Sequence, residues 1–188
     1  MEPVEIRPLL GYKIETLEPY FIGYTTHAYY HVTLINSDQE AAIKMVLKPL
    51  PEPFTCRWDP LTAGAREHYQ GILDQGYSFG AFLENHLIAI GIAAPVEWNR
   101  TFIVWEFHVL PEHQGKGIGR MLMEALAEKG RQSGMRTMLC ETQNYNVNAI
   151  RFYCKMGFQI EAIDTSYYSN HDLEERQDVA IFMKRRLE

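Results

Sequence analysis

The chain has 188 residues, of which 46% are hydrophobic, 22% charged and 12% aromatic, and its formal net charge at pH 7 is −6. This composition is typical of a globular protein with a substantial core, and it excludes a disordered or fibrous chain. The acidic balance, with no basic stripe of interleaved Lys, Arg and aromatic residues, argues against nucleic acid binding and favours cationic partners.

No segment of the sequence is apolar over the length that a membrane span needs. The longest nearly continuous apolar run, residues 87–96, is far shorter than the roughly 18 to 20 residues of a spanning helix. The N-terminus lacks the basic start and apolar stretch of a signal peptide. Cys56, Cys140 and Cys154 are odd in number and unclustered, which indicates reduced thiols. We therefore expect a cytoplasmic protein with no membrane attachment.

The first half of the chain is predicted to be mostly β-structure. Strand-like runs on both sides of the turn "NSDQ" predict two strands, and the proline-rich stretch after them predicts extended backbone. A short helix, weakened by Gly64 and Gly71, precedes a meander of three antiparallel strands with short polar turns. The predicted strands cover residues 28–35, 41–50, 78–84, 87–96 and 101–110, and the helix covers residues 61–76.

In the second half, predicted helices alternate with strands. Apolar residues at i, i+3, i+4, i+7 and i+8 from Ile118 mark an amphipathic helix that ends near Gly130 or Gly134. A second amphipathic helix, with apolar positions between residues 149 and 156, is closed by Gly157. A meander followed by helix, strand, helix and two strands predicts a single α+β domain with a mixed sheet. The predicted strands of this half cover residues 135–142, 158–164 and 179–187.

The stretch "HQGKGIGR", residues 113–120, lies between a predicted strand and a predicted helix. Its glycines at positions 115, 117 and 119 leave several backbone N–H groups unshielded by a Cβ, at the positive end of the helix dipole. This arrangement predicts a site for phosphate oxygens. The spacing fits neither the Walker loop nor the dinucleotide fingerprint, and a glycine-rich turn needed only for tight geometry is the alternative.

Two motifs resemble those of the GNAT superfamily of N-acetyltransferases. The first is the acetyl-CoA pattern of Gln or Arg, two residues, Gly, one residue and Gly, which begins at Gln114 within "VLPEHQGKGIGRMLM". The second is "NVNAIRFYCKMGF", in which Asn146 stands seven residues before Tyr153 and Gly-Phe closes the helix. The resemblance implies one acetyltransferase domain over residues 1–188, with a variable acceptor-side region at 1–77 and an acetyl-CoA-binding core at 78–185.

The same resemblance implies a GNAT-like fold, in which two strands of the mixed central sheet splay apart and helices flank the sheet. Backbone amides of the glycine loop would hold the pyrophosphate of acetyl-CoA, the co-substrate, and Lys116 and Arg120 would add positive charge. The strand at Val109 would pair with the pantetheine arm like one more strand, and Asn146 would fix the pantetheine amides. The implied cofactor-binding residues are Val109, Gln114, Gly115, Lys116, Gly117, Ile118, Gly119, Arg120 and Asn146.

Direct transfer of an acetyl group to an amine needs one group that accepts the amine proton and another that protonates the departing thiolate. The resemblance implies Tyr153 as the acid, and an aromatic residue of the core is the alternative. Glu106 is the leading base, because a charged residue in an otherwise apolar strand is costly and therefore suggests a function. A structural carboxylate paired with an arginine is the alternative. Glu141 raises the same question within "MLCET": of the two carboxylates, one could bind the acceptor amine and the other deprotonate it, directly or through water, with Glu141 the candidate for binding and either order left open. His108 ranks third as a base, since it shares the face of Glu106 only if no bulge intervenes.

Three further features have simpler interpretations. Cys154 beside Tyr153 could suggest a covalent acetyl-cysteine, but a small apolar thiol on a helix is more often packing. His27 and His31 have the spacing of a metal-binding pair on a helix, yet their stretch is predicted to be extended, so we expect no metal site. The acidic run at residues 172–178 is most simply a solvated loop, although its place between the last two strands could put it at the acceptor mouth.

A closer resemblance, to streptothricin acetyltransferases, is suggested by "CETQNYN", "FYCKMGF" and "IDTSYY". It implies that the acceptor is a cationic small molecule, namely the β-lysine moiety of streptothricin, and that the function is antibiotic resistance. Homodimers are frequent in the superfamily, so a homodimer is compatible with the sequence. The alternatives are a protein lysine or N-terminal acetyltransferase and a non-catalytic acyl-CoA-binding regulatory module. Glu106 together with Tyr153 favours the enzyme over the module, because a mere binder needs neither.

Overall fold

The structure is a computed structural model that describes residues 3–174 and 178–187. Within these ranges the α+β class predicted from the sequence is confirmed. The strands are β1 (Glu5–Pro8), β2 (Tyr24–Asn36), β3 (Ala41–Cys56), β4 (Phe79–Leu83), β5 (His86–Val96), β6 (Thr101–Val109), β7 (Thr137–Gln143), β8 (Gln159–Asp164) and β9 (Ala180–Arg186). The α-helices are α1 (Ile14–Leu17), α2 (Ala63–Leu73), α3 (Ile118–Gln132) and α4 (Val147–Lys155).

Every strand and helix predicted from the sequence is present, with shifted ends. Two short elements near the N-terminus, β1 and α1, were not predicted, because four residues carry too little periodicity to stand out. The strand β3 is longer than predicted, since it continues through the proline-rich stretch to Cys56. No helix in the described ranges has both the length and the apolar character that crossing a membrane would require.

The chain divides into two compact units, each assembled from segments that are distant in sequence. Unit 1 consists of residues 3–22, 57–139 and 185–187, and unit 2 consists of residues 23–56, 140–174 and 178–184. The division of the sequence at residue 77 into an acceptor-side region and a cofactor core stays a prediction.

The sheet of unit 1 is an antiparallel meander. Its strands pair in the order β1, β4, β5 and β6, and each runs antiparallel to its neighbour. Glu84 and Asn85 have positive φ angles of 50° and 65°, the backbone that a two-residue hairpin turn between β4 and β5 requires. The first residues of β7 lie beside the start of β6, where the N–H of Arg136 donates to the carbonyl of Arg100 at 2.9 Å.

Helices cover both faces of the unit 1 sheet. On one face α3 packs closely on β5, because a Cβ placed on Gly91 would lie only 2.6 Å from Leu126 Cδ1. The neighbouring side chains Ile90 and Ile92 point to the other face and are fully buried in a cluster with residues of α1 and α2. The glycine therefore sets the distance between α3 and the sheet.

The buried stripe of α3 differs from the predicted one at two of its five positions. Ile118, Leu122 and Leu126 are buried as expected, but Met121 is 44% exposed and Ala125 is only half-buried, and Met123 and Ala127 are fully buried instead. The buried face is therefore centred closer to Met123 than the apolar pattern indicated, because packing on β5 selects the face.

Unit 2 contains a long hairpin, three further strands that pair in one sheet, and one helix. Strands β2 and β3 pair antiparallel, and the turn between them is closed by a 2.8 Å hydrogen bond from the N–H of Ser37 to the carbonyl of Glu40. The remainder of β7 is followed in the sheet by β9 and then β8, with β8 and β9 antiparallel. Helix α4 ends at Lys155, and Gly157 follows its C-cap with a φ of +85°, the left-handed conformation expected of a helix-closing glycine.

Candidate active site

Glu106 lies immediately after a β-bulge in β6. Glu106 pairs with Ile92 and Val104 pairs with Ala93, the next residue on β5. Trp105 is therefore the extra residue of the bulge. From Glu106 onward the pairing is regular, which places Glu106 and His108 on the same face of β6. No bulge lies between the two residues, so His108 shares the face of Glu106, as its candidacy as a base requires.

Two groups of unit 1 hold the Glu106 carboxylate. The hydroxyl of Tyr69 on α2 donates to Glu106 Oε1, and His108 Nε2 lies 2.7 Å from Glu106 Oε2. Phe21 stacks on the His108 ring with the centroids 5.3 Å apart, and it meets the Tyr69 ring edge-on at 5.4 Å. In the described part of the chain the carboxylate is thus paired with a phenol and an imidazole, not with the arginine that the sequence left open.

The Glu106 site is oriented but still accessible. The side chain of Glu106 is 20% exposed and that of His108 is 12% exposed, so a ligand can reach the carboxylate. A carboxylate held in this way can accept a proton from a bound group without first reorganising. Sequence reasoning missed Tyr69 and Phe21, because no local pattern distinguishes them from ordinary aromatic residues of the core.

The glycine loop of unit 1 leads from β6 into α3. After a 3-10 turn at Pro111–His113, Gly115 and Gly117 adopt φ angles of +73° and +84°. Gly117 is the N-cap of α3 and provides no side chain, so the amides of the first helical turn have no side-chain cap. A Cβ on Gly115 or Gly117 would meet no atom of the chain within 4 Å. The left-handed backbone requires glycine at both positions, and the space beside them suits an anion such as a pyrophosphate.

The polar side chains of the loop have different surroundings. Lys116 and Arg120 are exposed, as a role in adding positive charge requires. Gln114 Nε2 donates to the carbonyl oxygen of Val109 at 2.9 Å, so this side chain ties the loop back to β6. That carbonyl already accepts one hydrogen bond within the chain, a constraint that the predicted pairing of Val109 with pantetheine did not include.

Tyr153 lies on α4 in unit 2 and is only 7% exposed. Its ring packs against Phe152 and Phe158, with centroids 5.6 Å away in each case. Its hydroxyl hydrogen-bonds with the thiol of Cys140 on β7, and burial raises the pKa of that thiol above its usual range, with the charge of Glu141 acting in the same direction. The ring is therefore part of the core, and any acid function belongs to the hydroxyl alone.

Asn146, predicted to contact pantetheine, caps a helix in unit 2. Its Oδ1 accepts a hydrogen bond from the N–H of Ala149 at 3.2 Å, which makes it the N-cap of α4. The cap explains why an asparagine opens this helix. The predicted contact with pantetheine stays a prediction.

Asn144 is a buried polar residue that sequence reasoning missed. Its N–H and Oδ1 bond the carbonyl and N–H of Val179, both at 3.0 Å. Its Nδ2 and carbonyl bond the carbonyl and N–H of Tyr30 at 2.8 and 3.0 Å. Asn144 therefore joins β2 to the segment that leads into β9. The polar run "TQNYN", which begins in the last residues of β7, is the sequence feature that could have indicated this role, because buried amides must be hydrogen-bonded.

Glu141, the predicted acceptor-binding residue, is partnered within unit 2. The hydroxyl of Tyr168 donates to Glu141 Oε1. Burial raises the pKa of the Tyr168 phenol, and the charge of Glu141 raises it further, so the phenol stays a donor. The motif "IDTSYY" thus supplies a partner for the glutamate of "CETQNYN". Both segments are among those that suggested the closer resemblance.

The structure also describes the surroundings of the thiol, the histidine pair and the acidic run that the sequence singled out. Cys154 is exposed, so the expectation that this thiol packs in the core was wrong. His27 and His31 lie on the extended strand β2. Across residues 3–174 and 178–187, no three or more His, Cys, Asp and Glu side chains are grouped closely enough to hold a metal ion. In the acidic run, Asp172 is only 4% exposed rather than solvated, and residues 175–177 lie outside the described residues.

The Asp172 carboxylate accepts hydrogen bonds from its own loop. Ser169 Oγ donates to Asp172 Oδ1 at 2.6 Å, and the N–H of Tyr168 donates to Oδ2 at 2.9 Å. Burial alone would raise the pKa of this carboxyl, but these donors outweigh burial and lower it. Asp172 therefore holds together the loop that carries Tyr168.

Comparison with known proteins connects these features to one family. Residues 34–158, more than half of the chain, match the acetyltransferase (GNAT) family. A streptothricin acetyltransferase of Streptomyces lavendulae is 38% identical over 71 residues, which are 38% of this chain and 38% of that protein. Streptothricin acetyltransferase A of Bacillus subtilis is 31% identical over 105 residues, which are 56% of this chain and 59% of that protein. The matched region thus spans less than two thirds of either relative.

Two solved structures share the fold over nearly the whole chain. A nourseothricin acetyltransferase has a TM-score of 0.79 at 24% identity, covering 98% of this chain and 99% of its own. A Bacillus anthracis structure, described as a streptothricin acetyltransferase in complex with acetyl coenzyme A, has a TM-score of 0.77 at 21% identity with the same coverage. At these identities the likeness shows the fold, and together with the family match it confirms the GNAT-like fold predicted from the sequence. The chain belongs to the acetyltransferase (GNAT) family.

Proposed function

We propose that the protein is an acetyl-CoA-dependent N-acetyltransferase whose acceptor is a primary amine of a cationic small molecule, the β-lysine moiety of streptothricin. The observation that carries the proposal is the Glu106 carboxylate, held by Tyr69 and His108 in a chain of the GNAT family. A module that only binds acyl-CoA has no use for such an oriented carboxylate. The names of the relatives, streptothricin acetyltransferases, support the choice of acceptor.

The glycine loop supports the choice of co-substrate. Acetyl-CoA, when bound, supplies the acetyl group as a reactive thioester. The open space beside Gly115 and Gly117 and the uncapped first turn of α3 suit its pyrophosphate, and Lys116 and Arg120 add positive charge. The cofactor contacts proposed on this basis and from the family motifs are Val109, Gln114, Gly115, Lys116, Gly117, Ile118, Gly119, Arg120 and Asn146.

Glu106 and Tyr153 have complementary proton-transfer roles in the proposal. An acceptor ammonium becomes nucleophilic only after losing a proton, and Glu106 accepts that proton while Tyr69 and His108 hold its carboxylate in place. As the new N–C bond forms and the C–S bond breaks, the Tyr153 hydroxyl donates a proton to the departing sulfur, and the second proton that the acetylated nitrogen loses restores that hydroxyl by way of solvent. Tyr153 is buried, which keeps bulk water away from its hydroxyl.

Glu141 is proposed to recognise the positive charge of the acceptor. Tyr168 donates a hydrogen bond to its Oε1, which orients the carboxylate that would make a charge-assisted hydrogen bond to an ammonium group. The net charge of −6 gives a polycation a favourable approach to the protein.

An acceptor panel tests the proposal. Streptothricin, an aminoglycoside, a polyamine and a lysine-containing peptide are incubated with the protein and acetyl-CoA, and thiol release is followed for each. We expect the highest kcat/KM for streptothricin, with the acetyl group on its β-lysine moiety by mass spectrometry. Faster turnover of the peptide would indicate a protein acetyltransferase, and binding of acetyl-CoA without transfer to any acceptor would indicate a regulatory module.

The role of Glu141 is tested separately. Glu141→Gln should raise KM for streptothricin more than KM for acetyl-CoA, because the carboxylate contacts the amine and not the cofactor. Glu174→Gln is the matched control, since Glu174 is an exposed acidic residue of the same unit. A change confined to the acetyl-CoA KM would rule out this assignment.

A further inference from the structure

Unit 2 contains a cavity of about 430 Å³ that none of the roles above uses. This volume is within the range of pockets that take small organic molecules, roughly 300 to 1,000 Å³. Its wall combines one segment of β3 with one residue after β7 and one before β9. The lining residues are Leu50, Pro51, Glu52, Pro53, Phe54, Tyr145 and Asp178.

The wall on β3 exists because the hairpin ladder is interrupted there. Thr26 pairs with Phe54 and Ala28 pairs with Pro49, so residues 50–53 on β3 face a single residue on β2. Prolines have no N–H to donate, and two of them in this segment prevent a regular ladder. The buried Thr26 supports the interruption, since its hydroxyl donates to the carbonyl of Ala28 at 2.6 Å. The sequence "LPEPF" therefore bulges away from β2 and forms one side of the cavity.

Aromatic rings form a fixed second wall. The Tyr145 ring stacks on Tyr29 with centroids 4.9 Å apart and an interplanar angle of 15°. Phe54 meets Tyr145 edge-on at 5.2 Å and meets Tyr24 at 6.5 Å. These contacts hold the Tyr145 ring in one orientation, so the cavity offers a preformed aromatic surface.

Two carboxylates complete the lining, and among the described residues that line the cavity none is basic. Asp178 directly precedes Val179, whose N–H is bound by the buried side chain of Asn144 at 3.0 Å. Because Tyr145 directly follows Asn144, the same buried amide positions Tyr145 and Asp178 together. The charge of Asp178 also raises the pKa of the Tyr24 and Tyr168 phenols, although burial is the larger cause for both.

We propose that this cavity is a binding site for an organic cation, a guanidinium or alkylammonium group, between the Tyr145 and Phe54 rings and the carboxylates of Glu52 and Asp178. A cation over an aromatic face and beside a carboxylate is stabilised by both, whereas an anion is repelled. A calcium or magnesium ion is a poorer occupant, since it needs about six or more oxygen ligands and the wall is largely aromatic and aliphatic.

The ligand that this chemistry fits is a second charged group of a polycationic acceptor. This assignment rests on the proposed function, in which a different amine of the same molecule receives the acetyl group. The cavity would then distinguish acceptors with several positive charges from monoamines.

Direct binding tests the cavity without acetyl transfer. Agmatine, which has a guanidinium and an ammonium group, is titrated into the protein by calorimetry, with pentylurea as a neutral compound of similar shape. We expect agmatine to bind and pentylurea not to bind, and Asp178→Asn and Glu52→Gln each to weaken agmatine about tenfold, as loss of a charge-assisted hydrogen bond does. Glu174→Gln, an acidic residue outside the cavity, should leave the affinity unchanged. Equal affinity in wild type and in both cavity variants would overturn the proposal.

Acceptor kinetics separate the cavity from the proposed function. If streptothricin is acetylated, the two cavity variants should raise its KM about tenfold while kcat and the acetyl-CoA KM stay within about twofold. Acetylation with unchanged KM in both variants would refute the cavity and leave the proposed function intact. Agmatine binding that Asp178→Asn abolishes, in a protein that does not acetylate streptothricin, would support the cavity and refute the acceptor. Tyr145→Leu serves as a third variant, and thermal unfolding shows whether each variant is folded.

Discussion

Glu106 and His108 share one face of β6, and His108 Nε2 lies 2.7 Å from Glu106 Oε2. The bulge at Trp105 lies before Glu106, so it does not interrupt the regular alternation that puts the two side chains on one face. Tyr69 on α2 donates to the other oxygen of Glu106. Three polar side chains of unit 1 thus meet at this carboxylate.

The first prediction concerns the charge of Glu106. Glu106→Gln keeps the size of the side chain and an oxygen that can accept from Tyr69, but it cannot take up a proton at neutral pH. We expect kcat to fall by about 10²- to 10⁴-fold, the usual cost of losing a general base. Glu112→Gln, which changes an exposed carboxylate in the 3-10 turn after β6, is the control and should keep full activity. Normal turnover in a folded Glu106→Gln variant would return this residue to a structural role.

Glycine has two functions in the loop: it leaves room for the proposed pyrophosphate, and it permits a left-handed backbone. The second prediction tests the first of these. Gly119 lies inside the first turn of α3, so Ala is compatible with its backbone and should not lower the melting temperature. The added methyl group should hinder close approach of the pyrophosphate and raise the acetyl-CoA Kd roughly tenfold or more, measured by calorimetry. Gly64→Ala in α2 is the control, because a Cβ there meets nothing within 4 Å. An unchanged Kd for Gly119→Ala would remove the loop from the cofactor site.

Gly117→Val tests the second function, the left-handed backbone at this position. The φ of +84° at Gly117 is strained for any residue with a Cβ, most of all for a β-branched one. We expect this variant to lose stability in thermal unfolding as well as affinity. A fully stable Gly117→Val protein would show that the loop can relax to another conformation.

Features that depend on residues close together in the sequence could be predicted, and features that depend on residues far apart in the sequence could not. Helices α3 and α4, their closing glycines and the glycine loop were predicted because periodicity and φ requirements act within a few residues. Two aromatic residues of the Glu106 site were not predicted: Tyr69, which donates to Glu106, and Phe21, which packs on Tyr69 and His108, are 37 and 85 positions away from Glu106 along the chain. Only the packing of α2 and the N-terminal segment brings them to β6.

The same distinction applies to unit 2. The motif asparagine Asn146 and Tyr153 were found from spacing, whereas the buried Asn144 was not, since its partners Tyr30 and Val179 come from opposite ends of the chain. The proline-rich stretch was expected to be extended, and it is. Its displacement from β2 could not be predicted, because the register of a hairpin is a property of both strands.

The third prediction distinguishes the Tyr153 hydroxyl as an acid from its structural contact with Cys140. Tyr153→Phe preserves the buried ring, so we expect a small change in melting temperature and a fall in kcat of about 10²- to 10⁴-fold. Cys140→Ala removes the other partner of the same hydrogen bond and should retain most of kcat. If both variants lost turnover equally, the contact with Cys140, and not proton donation, would be the function of the hydroxyl.

The fourth prediction concerns thiol reactivity. Alkylation requires the thiolate, and burial raises the pKa of the Cys140 thiol, so Cys140 should resist iodoacetamide in the native protein at pH 8 and at pH 9. Cys154 is exposed and should be modified under the same conditions, without loss of acetyl transfer. Peptide mass spectrometry after quenching gives the extent of modification at each site. Rapid modification of Cys140 in protein that remains folded would contradict the burial described here, and loss of transfer on modifying Cys154 would revive the acetyl-cysteine route.

The fifth prediction follows from the lowered pKa of the Asp172 carboxyl. A carboxyl whose pKa is lower in the folded than in the unfolded chain stabilises the fold at pH values above the unfolded pKa of about 3.9. That contribution is lost as the pH falls through the still lower folded pKa. Asp172→Asn should therefore lower the melting temperature by roughly 2–4 °C at pH 7, since Asn accepts the hydrogen bonds from Ser169 and Tyr168 without a charge. The difference from wild type should be constant between pH 7 and pH 5 and should shrink below about pH 4. Asp38→Asn, at an exposed position in the turn between β2 and β3, controls for the loss of a surface charge in the same unit. A difference that stayed constant down to pH 3 would mean that the charge of Asp172 contributes nothing to the loop, and that the effect of the variant comes from packing alone.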